Sequence, residues 1–171
     1  NDFLTIEEMQ SAIKASETAY SRNIDIITHD ACSMNMVEVA YELRELADYF
    51  VASEESIPFD GYDYEEVVSR LVRNSSMTPE QFVHEIVEAY KVAYPDECSL
   101  RASCGGLYTL SAIDLSVIKG ITPHLNNFAR NLTTAIHENN TAGIFGARNI
   151  TYDFGGGAID FIHFIETLQM N

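Results

Sequence analysis

The sequence predicts an α/β fold with a mainly parallel sheet, and three observations lead there. Ile24-Asp25-Ile26-Ile27-Thr28 is short, β-branched and largely apolar, as a strand inside a sheet should be. Met36, Val37, Ala40, Leu43 and Leu46 then recur at helical spacing, and Tyr49-Phe50-Val51-Ala52-Ser53 reads as a second strand. Strand, helix, strand at this spacing is a βαβ unit, whose crossover makes the two strands parallel.

The remaining elements follow in order. Thr5-Ile6-Glu7-Glu8 is a capping box, and Ile6, Met9 and Ile13 open a helix that should run to Tyr20. Residues 54–63 are expected to form a loop, with Pro58 and Asp60-Gly61 as turn signals. Residues 64–73 and 79–94 read as helices, the second capped by Thr78 with Pro79 in its first turn. Gly105-Gly106 breaks the chain before a third strand over 107–114, and a long helix is expected over 117–139. Residues 141–157 read as a Gly-rich loop and 159–168 as a closing helix. Three strands are few for a sheet flanked by this many helices, so either further strands lie unread in this chain or partner strands come from a segment outside it.

The chain has 171 residues, 46% of them hydrophobic, enough for one domain with a core over residues 1–171. No apolar run reaches the roughly 18 residues of a bilayer-spanning helix, so no membrane span is expected. The formal charge of −16 argues against non-specific nucleic-acid binding. It favours cationic partners, although acidity that serves only solubility explains it equally well. Asn1-Asp2-Phe3 is neither an initiator Met nor a basic-then-apolar leader, so the chain is expected to begin where something was removed. Cys32, Cys98 and Cys104 have neither the count of a disulfide framework nor the spacing of a zinc site. Cys98 and Cys104 are close enough in sequence to be candidates for a bridge. That leaves Cys32, just past the carboxyl end of a strand where open α/β sheets place their ligands, as either a buried structural thiol or a nucleophile.

The run Ile24-Asp25-Ile26-Ile27-Thr28-His29-Asp30-Ala31-Cys32-Ser33-Met34 resembles the catalytic segment of the clostripain family of caspase-like cysteine peptidases. The resemblance continues through Val37-Glu38-Val39-Ala40-Tyr41-Glu42-Leu43 and Ala47-Asp48-Tyr49-Phe50-Val51-Ala52-Ser53-Glu54-Glu55, then fades. It returns at Leu110-Ser111-Ala112-Ile113-Asp114-Leu115, and more weakly at Ala147-Arg148 and Ile159-Asp160. It implies a caspase-like three-layer αβα sandwich and an endopeptidase cleaving after Arg or Lys. Cys32 maps onto the nucleophile and Asp30 onto the pocket aspartate that pairs with a basic side chain. The family's catalytic His lies upstream, on a neighbouring strand, and no His precedes His29 here. The resemblance therefore implies an upstream light chain, released by internal cleavage, that carries the His and the missing strands. It also implies a secreted or cell-surface bacterial protein, in which the Asn-x-Ser/Thr triplets at Asn74, Asn131, Asn139 and Asn149 stay bare.

An aspartate in a pocket suits an Arg guanidinium through a paired, charge-assisted contact, and Lys less well; the same Asp30 could instead cap the turn before the helix. Ser33-Met34-Asn35 is expected to begin that helix, whose N-terminus would favour a thiolate. Ser53, Glu54 and Glu55 end the next strand and are expected to help line the substrate cleft. Asp60, Asp63, Glu65 and Glu66 form an acidic cluster and a weak calcium candidate. It lacks the EF-hand pattern, and no cofactor is otherwise expected. His29, His84, His124, His137 and His163 are not expected to serve as the base. The alternatives to the peptidase are a caspase-like module that binds partners without catalysis, or a thiol enzyme that acts on another amide or transfers an acyl group.

Overall fold

A computed structural model describes residues 4–21, 23–95 and 108–170. The chain divides into two compact units, Asn1–Lys119 and Gly120–Asn171. In the first unit α1 spans Ile6–Tyr20. Thr5 opens it with the expected capping box: its hydroxyl accepts from Glu8 N–H at 3.2 Å, and the Glu8 carboxylate accepts from Thr5 N–H at 2.8 Å. Then come β1 (Ile24–Thr28), α2 (Val37–Leu43) and β2 (Ala47–Ala52). α3 (Tyr64–Arg73), α4 (Pro79–Ala93) and β3 (Ser111–Asp114) complete the unit, together with the start of α5 (Leu115–His137).

The sheet order is β1-β2-β3. β1 and β2 are parallel, in register from Ile24 opposite Ala47 to Thr28 opposite Val51. The βαβ expectation is met, because α2 carries the chain back to the same end of the sheet. β3 lies antiparallel to β2, from Tyr49 opposite Asp114 to Ala52 opposite Ser111. It is also shorter than expected, beginning at Ser111, and the Thr109 hydroxyl just before it binds the amides that follow β2. Phe50, Val51 and Ala52 are fully buried. Val83, Ile86 and Tyr90 recur along one face of α4 and pack with Val51 and Tyr62 in the core beneath the site.

In the second unit the long helix α5 continues to His137, two residues short of its expected end. Residues 141–157 are not a loop. They form α6 (Ala142–Ile150) and, with the residues just after them, a hairpin of β4 (Asp153–Gly155) and β5 (Ala158–Ile159). Gly143 and Gly146 weaken helix propensity and hide α6, but buried Ala147, Thr151, Phe164 and Thr167 hold it against α7 (Phe161–Met170). The Thr151 hydroxyl donates to the Ala147 carbonyl at 2.7 Å, and Phe128 sits edge-on to Phe161 with ring centres 5.7 Å apart. Gly155, Gly156 and Gly157 turn the hairpin at φ of 92°, 63° and 91°, which residues with side chains rarely adopt. Among the described residues no helix is long and apolar enough to cross a membrane.

Candidate active site

Where β1 ends, the chain keeps its alignment with β2 for one more residue. His29 N–H donates to the Val51 carbonyl at 2.9 Å, and the His29 carbonyl accepts from the Tyr62 hydroxyl at 3.0 Å. The His29 ring stands edge-on to buried Phe50, with centres 5.2 Å apart. Burial pulls its pKa below the ordinary imidazole value.

Asp30-Ala31-Cys32 then turns outward, and Cys32 is exposed. Its Sγ accepts the Ile57 N–H at 3.3 Å, which ties the thiol to the loop after β2. Downstream, Ser33 adopts a left-handed φ of 54°. Ser33 N–H donates to the Glu55 carbonyl at 3.0 Å and Asn35 N–H to the Ser53 carbonyl at 2.9 Å. Left-handed at Ser33 and extended at Met36, the backbone is not helical over this stretch. The expectation that Ser33-Met34-Asn35 begins the helix is therefore corrected. α2 starts at Val37, with Met36 as its uncapped N-cap.

Ser53 and Glu55 reach the segment just after Cys32 through backbone, their carbonyls accepting from Asn35 and Ser33. Ser53 is fully buried, and its hydroxyl donates to the Glu55 carbonyl at 3.0 Å and meets Thr109 Oγ1 at 3.1 Å. The Thr109 hydroxyl in turn accepts from Glu54 N–H at 3.1 Å and Glu55 N–H at 3.3 Å.

The Asp30 side chain is exposed and does not cap α2. Its Oδ2 accepts the Tyr62 N–H at 3.2 Å and the Tyr64 hydroxyl at 2.7 Å. Gly61, buried at φ 69°, lies directly against this carboxylate, and a Cβ there would fall 2.3 Å from Oδ2. The Tyr94 hydroxyl donates to the Gly61 carbonyl at 2.8 Å and pins the turn. Tyr90 and Tyr94 have ring centres 4.9 Å apart, and Tyr94 and Tyr108 are 5.6 Å apart. The bond to Asp30 raises the Tyr64 phenol above its ordinary pKa, and burial raises those of Tyr62 and Tyr90. The buried Tyr90 hydroxyl has no hydrogen-bond partner among the described residues.

The acidic cluster has other work. Asp63 caps α3, its Oδ1 accepting from Glu66 N–H at 2.9 Å, and the Glu66 carboxylate pairs with Arg70 at 2.8 Å and Arg73 at 3.0 Å. Asp60 is exposed. Among the described residues no three His, Cys, Asp or Glu side chains come together as a metal site. His84, His124, His137 and His163 all lie on helices, as expected. His163 Nδ1 accepts from Tyr152 N–H at 3.2 Å. Cys98 and Cys104 fall outside the described residues.

Ile57, Gly61, Tyr62, Tyr64 and Thr109 were not foreseen as parts of the site. The Asp60-Gly61 turn signal was the one local hint that the chain doubles back there. What results is an exposed thiol with an exposed carboxylate two residues away, both held by the segment that follows β2.

A family model described as the clostripain family matches residues 1–164. No curated protein matches the chain. Among solved structures, a cysteine protease of B. fragilis is 18% identical with a TM-score of 0.61, over 99% of this chain and 66% of that one. A secreted cysteine protease of Bacteroides thetaiotaomicron, solved with an irreversible peptide inhibitor, is 22% identical with a TM-score of 0.62, over 99% and 44%. A clostripain from the same species, in complex with the peptide inhibitor BTN-VLTK-AOMK, is 20% identical with a TM-score of 0.52, over 68% and 45%. At these identities the structures establish the fold, an α/β arrangement shared with cysteine proteases. The chain spans 66%, 45% and 44% of those three proteins.

Proposed function

The chain belongs to the clostripain family, and on that premise we propose that it is the thiol-bearing part of a cysteine endopeptidase that cleaves after basic residues. The observation that carries this is the exposed Cys32 thiol beside the exposed, loop-clamped Asp30 carboxylate. Cys32 attacks the scissile carbonyl carbon as a thiolate and expels the amine, leaving a thioester that water hydrolyses. The Ile57 N–H meets the sulfur with the polarity an anion accepts. The Cys32 amide contributes to the oxyanion hole. Asp30 receives the Arg or Lys side chain that precedes the cleaved bond. The peptide inhibitor on the B. thetaiotaomicron clostripain ends in lysine, which supports a basic residue at that position.

The base is a His from a segment upstream of residue 1, freed by internal processing and still associated. Among the described residues β1 pairs only with β2, so its other edge is open to a further strand. A His at the end of such a strand stands at the same end of the sheet as Cys32. Secretion into the surroundings of a bacterial cell fits the relative described as secreted. Calcium at the Asp60–Asp63 turn stays a secondary part of the proposal and requires ligands beyond Asp63, which caps α3.

The test is intact mass spectrometry of the two-chain protein before and after a peptidyl-arginine acyloxymethyl ketone. An adduct on this chain that disappears in Cys32→Ser, together with a loss of peptide cleavage of at least about a thousandfold, supports the peptidase. No adduct on the two-chain protein overturns it.

A further inference from the structure

We infer that Tyr64 sets the balance between arginine and lysine substrates by occupying one of the two oxygens of Asp30; this rests on the proposed peptidase reading. A carboxylate oxygen has two in-plane lone pairs, and those of Oδ2 are both taken, by the Tyr62 amide at 3.2 Å and the Tyr64 hydroxyl at 2.7 Å. Gly61 packs against the same oxygen so closely that even a methyl group would collide with it. The Tyr94 hydroxyl holds the Gly61 carbonyl, so the loop cannot back away without losing that bond. Oδ1 has no hydrogen bond among the described residues and faces an incoming cation alone.

Arginine outcompetes lysine at a carboxylate when its planar fork engages both oxygens at once. With Oδ2 saturated, the fork has one oxygen to use, and the compact ammonium of lysine uses that oxygen equally well. The site discriminates by charge and not by fork geometry. This replaces the expectation that Asp30 favours arginine through a paired contact. The two clamps on Oδ2 differ: the Tyr62 donor is backbone and survives any substitution there, whereas the Tyr64 donor is one removable hydroxyl on an exposed side chain. Tyr64 is therefore a positioning residue, acting on substrate through Asp30.

The experiment compares the two-chain enzyme with its Tyr64→Phe variant on peptides that differ only in Arg or Lys before the cleaved bond. It reads kcat and KM separately, and labelling rates with the matching acyloxymethyl ketones. The expected wild-type enzyme takes both peptides within about threefold of each other. Tyr64→Phe frees one lone pair on Oδ2 and raises the Arg-to-Lys ratio of kcat/KM by about three- to tenfold, through KM, as one added hydrogen bond would. An unchanged ratio, or a wild-type preference for arginine beyond tenfold, overturns the inference while leaving the peptidase intact. Wild-type enzyme that labels with neither reagent overturns both, and that result is distinct because it appears before any variant is made. Tyr64→Phe with matching far-ultraviolet dichroism but kcat lowered equally for both peptides also overturns it, since that is a structural effect.

Discussion

The two flanks of Cys32 are held by different means. Downstream, Ser33 and Asn35 are fixed by their amides to the Glu55 and Ser53 carbonyls, backbone to backbone. Upstream, Asp30 is fixed at its carboxylate by the Tyr62 amide and the Tyr64 hydroxyl. The backbone-held flank keeps its geometry under most substitutions of its own residues. The carboxylate-held flank can be retuned by a single hydroxyl or a single methyl group. The thiol thus sits at a boundary between a backbone-fixed frame and an adjustable carboxylate.

The largest break in this comparison is expected from Gly61→Ala. The new Cβ must displace the Asp30 carboxylate, and φ 69° penalises any side chain. Cleavage after basic residues should fall by about ten- to a hundredfold, as expected for a lost charged hydrogen bond. Stability should drop by about 1–2 kcal/mol, the cost of a side chain in the left-handed region. Peptide kinetics and denaturant titration on the same preparation measure the two effects separately.

On the other flank, Thr109→Val removes one acceptor of the Glu54 and Glu55 amides and one of the partners of the buried Ser53 hydroxyl, which keeps its bond to the Glu55 carbonyl. It should destabilise by about 1 kcal/mol, as read by urea unfolding. The Arg-to-Lys ratio should not change, because Asp30 is untouched. A shift in that ratio would show that the two flanks are not independent.

The smallest effect concerns His29, one residue before Asp30. The unfolded chain binds a proton on this ring near pH 6.5, whereas the buried ring in the folded chain does so only at a lower pH. The unfolded state therefore takes up the proton first as pH falls. Stability is undiminished above about pH 6.5 and declines below it, toward the folded value. His29→Phe should flatten this decline, and unfolding curves at pH 7.5 and pH 5 measure the difference. An equal slope in the variant would assign the acid sensitivity to other groups.

The frame was more legible in the sequence than the recognition site, and the reason is range. Ile24 to Thr28 and the capping box at Thr5 and Glu8 announce themselves through neighbours a few residues away. The helix start expected at Ser33 failed because the backbone there is left-handed and then extended, a path shared with bonds to a segment about twenty residues downstream that no local pattern encodes. Gly143 and Gly146 argued for a loop where the packing of Ala147 and Phe164 makes a helix. The antiparallel sense of β3 depends on a connection that includes the undescribed residues 96–107. Cys32 and Asp30 were found by resemblance. Tyr62, Tyr64 and Gly61 reach Asp30 across about thirty residues of chain, and only the Asp60-Gly61 turn marked the place where that return begins.

Among the described residues one edge of β1 carries no partner strand, which bears on how the protein can be handled. A flat row of unsatisfied amides and carbonyls is a template for any strand that reaches it, including the same strand of another copy. A strand left in that state should pair with its counterpart in another copy through Ile24–Thr28, and a rise in apparent mass with concentration in solution would show it.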